Sequence, residues 1–399
     1  VEIPIFSKLN NREPKEKDNF REKILRHRLV LFYRAVIVIA IILCVIFAVY
    51  ITNKTKIYTG YDVLSDEDRT DADDAVYLAY NNGCALKYSQ DGAEAFDGSN
   101  NPIWNITFEM QKPQVATCGP FAALGDFKGT KIFVVSASGE SGEIETKLPL
   151  SSFCVSAQGV VAVVLEDDNE TKINLYSYKG ELLAEMKCTM TKSGYPVDVS
   201  LSDDGMKLAV AYMRIEDGKL KSSVAFYNFD EVGQNEIDNY VSGYDYVDTV
   251  IPKVKFINSD TAFAIGDNRL VIYKGSQKPV SIFDTMLTDE VRSVFYGNKT
   301  VGLVYRDATG GGQYRIDVYD EEGGEPKLSQ NFDMEYTEIV LKDNRVLIYN
   351  ETGCEMYLLD GTKKFSTTFE EPMTLVSVGD ALTKMTLVNR ETVQLVKLN

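Results

Sequence analysis

Histidine, the side chain best suited to proton transfer near neutral pH and the commonest metal ligand, occurs once in these 399 residues, at His27. That position precedes a long apolar run. No His-based triad or His metal site can therefore form in the 348 residues after Ile51 within one chain. The run "SASGESGE", residues 136–143, has the composition of a Ser/Gly turn and lacks the flanking pattern of a nucleophile elbow. A quinone redox cofactor would need an indole to stack on, and the single tryptophan, Trp104, sits in a repeated outer strand where docking between neighbours is the expected role.

The cysteines and acids point the same way. Cys44 lies in the apolar run, leaving Cys84, Cys118, Cys154, Cys188 and Cys354, an odd number. Cys154 and Cys188 open and close one four-strand unit, roughly 14 Å apart at three strand spacings. Disulfide Cα atoms lie within about 7 Å, so these two cannot bridge. Cys118 with Cys154, on the first strands of adjacent units, is the one pair within reach; buried free thiols are the expected state. The acids Asp66, Glu67, Asp68, Asp71, Asp73 and Asp74 crowd together without the glycine and spaced ligands of a calcium loop, and read as a solvated linker. Glu166, Asp167 and Asp168 fall at a hairpin tip, where acids stay wet. No residue is assigned a catalytic, cofactor-binding or metal-binding role, and no cofactor is expected.

The elements that would carry any such chemistry begin with "LVLFYRAVIVIAIILCVIFAVYI", Leu29 to Ile51, whose one charge is Arg34. A bilayer core is spanned by about 20 apolar residues, and Arg34 can reach headgroups near one end. No small-residue cleavage site follows, so the segment is expected to remain as a signal anchor in the lipid bilayer. Before Ala35, nine Lys and Arg face five acids, a net +4; against the total of −17, the remainder carries −21. The bias places residues 1–28 as a cytoplasmic stub and everything after residue 51 outside. A −21 body also disfavours nucleic acid as a partner.

After the anchor one phrase recurs: an alternating strand, a polar residue, then Gly, as in "KINLYSYKGELLAEM", residues 172–186. The closing glycines fall at 98, 139, 180, 275, 323 and 361, spaced 41, 41, 95, 48 and 38 residues apart. The interval of 95 hides one copy, "SSVAFYNFD", with "DEVG" as its turn. A period of about 44 residues is that of a four-stranded propeller blade. Units begin near Ala75, Pro113, Ser152, Pro196, Thr249, Val291, Tyr336 and Met373, so the fold class is an all-β propeller of eight blades over residues 75–399. Seven follow if the weak first unit is partly an extension. The last unit has three strands and needs a fourth, for which "KIYTGYDVL", residues 56–64, in the acidic linker 52–74, is the candidate.

"SDDG", residues 202–205, resembles the turn of WD-repeat-like and TolB-like propellers, with Asp203 and Asp204 placed to bond turn backbone. "SQDGAEAFDGSNNPIWN" resembles one quinoprotein-type repeat. Across "GVVAVVLED", "SGYPVDVSLSDDGMKLAVAY", "VAFYNFDEVGQ" and "VIPKVKFIN", the chain resembles an uncharacterised bacterial family of single-pass membrane proteins, a domain of unknown function. The resemblance implies an anchor helix and an extracytoplasmic propeller at the cell membrane, and implies no activity. It also makes the glycosylation-like triplets at Asn53, Asn105, Asn169, Asn298 and Asn350 read as turns. The expected function is a non-enzymatic binding or scaffolding module for an envelope or membrane protein. The alternatives are a carboxylate-dependent glycan hydrolase, or an accessory or sensor subunit of a membrane complex.

Overall fold

The computed structural model describes residues 15–69, 75–166, 171–189, 193–306 and 310–399. The chain divides into a helical unit ending at Lys56 and a β unit, Ile57–Asn399. The helix, Lys15–Thr55, runs 41 residues, roughly 60 Å at 1.5 Å per residue. It carries the basic residues from Lys15 onward as well as the apolar run. Its segment Phe20–Ala48 is long and apolar enough to cross a membrane, and no part of that segment is buried by the rest of the chain.

The β unit is eight antiparallel four-stranded sheets. Their innermost strands begin at Val76, Pro113, Leu150, Tyr195, Lys253, Val291, Glu338 and Leu375, each within four residues of the start read from the sequence. Alternation with β-branched and aromatic residues makes these segments strands, and their faces decide how they pack. A propeller blade buries both faces, one against each neighbour. Accordingly the middle strands read as nearly continuous apolar runs, such as Val161–Glu166 and Thr261–Ile265. Eight buried clusters result, each joining two neighbouring blades. Trp104 belongs to the cluster between blades one and two, edge-on to Tyr80 at 5.9 Å, in the docking role expected of it.

Blade eight is completed from the other end of the β unit. Tyr61–Asp68 pairs antiparallel with the last strand, Thr392–Leu398, from Tyr61↔Leu398 to Asp68↔Thr392. The closing strand thus takes in the end of "KIYTGYDVL", residues 61–64, and runs on to Asp68. Ser65, Asp66, Glu67 and Asp68, read as solvated linker, are ladder residues instead. Their side chains stay mostly exposed, so hydrophobicity could not mark them as strand; what fixes them is the unpaired edge they cover. Tyr58, inside the segment first assigned to closure, makes an isolated bridge to Phe365 of blade seven. Asp71, Asp73 and Asp74 lie outside the described residues.

Other local expectations shift as well. Glu166 is not a wet tip acid. It accepts hydrogen bonds from Ser151 Oγ at 2.8 Å and Tyr195 Oη at 2.6 Å, and pairs with Lys128, so it ties blades two, three and four together. Asp167, Asp168 and Asn169 lie outside the described residues. In the "SDDG" turn Asp204 does bond turn backbone, accepting from Met206 N–H at 3.0 Å, while Asp203 turns away and accepts from the Cys118 thiol at 3.6 Å. "DEVG" forms no tight turn: Glu231–Gln234 is a short helix that follows Asp230, whose side chain makes no capping bond. Asn350 builds a turn, its Oδ1 accepting from Thr352 and Gly353, whereas Asn105 lies within the outer strand Pro102–Thr107.

Candidate functional site

Blade four departs from its siblings. Its second and third strands, Lys207–Glu216 and Lys219–Asn228, run ten residues each and pair along their whole length. Other middle strands run five to seven. The two-residue turn is Asp217-Gly218, with φ of 52° and 74°; two left-handed residues match the twist of a hairpin and favour Asp-Gly. Past the inner strand, which ends its pairing at Tyr195↔Met213, the hairpin projects as Arg214, Ile215 and Glu216. Glu216 takes Lys221 at 2.9 Å and Arg214 at 3.2 Å, and those two cations hold its carboxyl below the usual range. Ile215 is left 76% exposed. Between the third and fourth strands the chain inserts the short helix and a turn, Ile237–Asn239, whose Ile237 is 86% exposed.

Beneath this elaboration, between blades three and four, lies a cleft of about 890 Å³. Side chains alternate along a strand, so Ser223 and Ala225 face blade three from one strand, and Gly243 and Asp245 from the next. Ala225 pairs directly with Gly243, and Ser223 with Asp245, so a methyl group stands opposite a hydrogen in the cleft lining. The far wall is the outermost strand of blade three, Leu182–Cys188.

Tyrosines close one end. Tyr212 and Tyr227 share a hydroxyl–hydroxyl bond of 2.9 Å, and the Cys188 sulfur lies 3.6 Å from the Tyr212 oxygen. Tyr240 meets Tyr227 edge-on, centroids 5.9 Å apart at 73°, with its own ring 46% exposed. A Cβ on Gly243 would come within 2.2 Å of the Tyr240 hydroxyl, so the phenol lies across the glycine. Burial pushes Tyr212 upward and Tyr227 up to about 12, which keeps both hydroxyls protonated. At the other end Arg214 donates to Asp245 at 3.3 Å and to Ser223 Oγ at 3.4 Å. Across the cleft Glu185 pairs with Lys172 at 3.6 Å. Asp238 and Asn239, consecutive left-handed residues with φ of 55° and 57°, edge the mouth.

The inner strands hold a second set of polar groups. Asp198 accepts Val254 N–H at 2.9 Å and pairs with Lys253 at 3.3 Å; burial raises its carboxyl while Lys253 draws it back. Lys255 Nζ lies 5.5 Å from the Tyr296 ring. Cys118 and Cys154 are both free, so the one disulfide within reach is not formed, and burial pushes their thiols up to about 12 and about 11. Cys84, Cys188 and Cys354 are free too. Thiols so far from ionisation are packing groups, not nucleophiles. Among the described residues no three His, Cys, Asp or Glu are grouped to hold a metal ion.

Of the cleft residues, sequence reading named Cys188 alone, and as a buried thiol. The signal was nonetheless present: an isolated glycine within a strand pattern, "VSGYDYV", marks a close approach or a gap in packing.

Comparison with solved structures returns propellers. Sqt1 from Chaetomium thermophilum superposes with a TM-score of 0.55 at 12% identity, covering 85% of this chain and 98% of that one. Sqt1 bound to the N-terminus of the ribosomal protein L10 superposes at 0.53 and 11%, covering 85% of this chain and all of that one. At such identities the likeness is one of fold alone. No curated protein matches in sequence. A family model covers residues 52–398, the β unit with its closing strand, and by that match the chain belongs to the family described as a family of unknown function (DUF5711).

Proposed function

We propose that this protein is a membrane-anchored, non-catalytic docking module, in which the apolar helix fixes the chain in a bilayer and the propeller, outside the cytoplasm, takes a protein partner through blade four. The observation that carries this reading is the projecting hairpin, whose Ile215 is 76% exposed beside the turn; the turn inserted at the opposite end of the same strands offers Ile237 at 86%. Isolated exposed apolar residues are ordinary. Here Ile215 crowns a hairpin lengthened beyond its inner strand, braced by Arg214, Glu216 and Lys221. The topology rests on the excess of Lys and Arg before the apolar run. The Sqt1 complex offers a precedent for a propeller of this fold taking a polypeptide segment.

The test is site-specific photo-crosslinking in intact cells. A photoreactive residue at Ile215 or Ile237 should give a discrete higher-mass product, while one at exposed Lys384 of blade eight should not. Identical patterns at all three positions, or none at any, would sink the reading. Protease added outside intact cells should digest the propeller; its protection would reverse the topology.

A further inference from the structure

We propose that the cleft between blades three and four is a binding site for a neutral oligosaccharide. This site is separate from the apolar hairpin tip, and its ligand is read from different observations.

Size comes first. A cavity of about 890 Å³ is in the range of small-molecule sites and accommodates a few sugar rings. Ala225 and Gly243 lie side by side in its lining, with the Tyr240 phenol across the glycine. Charge then narrows the class. Two ion pairs border the cleft, Asp245 with Arg214 at 3.3 Å and Glu185 with Lys172 at 3.6 Å, and Lys187 and Asp238 add one charge of each sign to its lining. The border is thus balanced in charge and favours neither a cation nor an anion. A neutral ligand meets those pairs as fixed donors and acceptors, held in place without further ordering cost.

Lining chemistry completes the argument. The Tyr212 and Tyr227 hydroxyls bond to each other, and the Arg214 guanidinium bonds to Asp245 and Ser223, so they form a pre-ordered polar lining with hydrogen-bonding capacity left for a ligand's hydroxyls. A sugar ring has what the cleft lacks: a C–H face to lie on the half-exposed Tyr240 ring, and hydroxyls that both donate and accept around its rim. The corner formed by Tyr227 and Tyr240 at 73° offers such a ring one face and one edge. The raised ionisation of Tyr227 keeps its phenol able to donate.

The full chain, purified in a zwitterionic detergent so that no sugar headgroup competes, would be titrated calorimetrically with cellotetraose, chitotetraose, xylotetraose and maltotetraose, and with a Lys-rich octapeptide. Saturable binding of at least one oligosaccharide is expected. Tyr240→Ala and Gly243→Leu should each weaken it by about tenfold or more, while Tyr296→Ala, outside the cleft, should leave it unchanged. Gly243→Leu displaces a phenol and risks the fold, so exposed Tyr240→Ala, with an unchanged melting temperature, is the deciding variant. Absence of saturable binding to all four sugars, binding indifferent to Tyr240→Ala, or binding of the peptide in their place would each overturn the assignment. None of these results depends on whether the hairpin finds a protein partner.

Discussion

Single glycines decide how closely these sheets can pack. Gly243 makes room for the Tyr240 phenol beside a cleft. Gly302, within the second strand of blade six, makes room for a buried ring: it pairs across the ladder with Phe295, whose ring lies so close that an added Cβ would approach its ring atoms to 2.2 Å. Phe295 is 7% exposed and belongs to the cluster between blades six and seven. A methyl at 302 must push that ring off its seat, and overpacking of this kind costs about 1–3 kcal/mol. Gly302→Ala should therefore lower the urea midpoint although alanine favours a strand more than glycine does. Gly302→Ala combined with Phe295→Leu should recover part of the loss, because the shorter side chain yields the space. A Gly302→Ala protein as stable as the parent would mean that the ring is free to move aside.

At the scale of elements, the seam between blades one and eight carries the greatest risk. Its buried cluster, among the described residues, is Ala85, Phe96, Leu375, Val388 and Val393, five side chains where the others have eight or more. Arg69 reinforces it, stacked over Tyr77 at 3.9 Å, with its N–H bonded to the Glu391 carbonyl at 2.7 Å. The closing strand Tyr61–Asp68 is mostly exposed, so its contribution is chiefly ladder hydrogen bonds, each about 0.5–1.5 kcal/mol, and removal of a free edge. Deleting residues 61–68 from the full chain should cost at least about 3 kcal/mol and promote association through Thr392–Leu398. Deleting residues 56–60 should cost much less; equal losses would put closure elsewhere. The contrast also explains what a sequence can disclose here. Two-residue alternation and a recurring Gly made the eight units legible, and even their starting residues, because burial on both faces writes a repeated apolar code. A closing strand of "YDVLSDED" is written in no such code. Its partner lies more than 300 residues away, and only the geometry of the ring selects it. Likewise nothing in composition marks the cleft, whose lining joins small residues, Ala225 and Gly243, to tyrosines from separate strands.

Over the whole molecule, the titrating groups buried between blades are mostly phenols and thiols, and that sets how stability should respond to pH. Cys118 and Cys354 are pushed up to about 12 and Cys154 to about 11 from 9.0, and Tyr227 and Tyr246 to about 12 from 10.0, all chiefly by burial. Tyr212, Tyr273, Tyr305 and Tyr349 shift in the same direction. In the unfolded chain these groups lose their protons near their ordinary values; in the ring they retain them. Between about pH 9 and pH 12 the folded state therefore binds more protons than the unfolded one, and stability falls as pH rises. Below pH 9 that contribution is complete. Asp97 and Asp204 have the opposite sign: hydrogen bonds from Asn101 and Ser99, and from Ser202 and Met206, hold them low against burial, so their contribution disappears as pH falls below the carboxylate range. The protein should thus be most stable between these limits, with an alkaline decline steeper than a ring of Leu and Val alone would show. Urea midpoints of the full chain in detergent at about pH 7.5, 9 and 10.5 should be level over the first interval and drop over the second, with phenolate absorbance rising only as the ring unfolds. A midpoint that holds to pH 10.5, or phenolate signal that appears while the fold is intact, would show that water reaches the tyrosines between the blades.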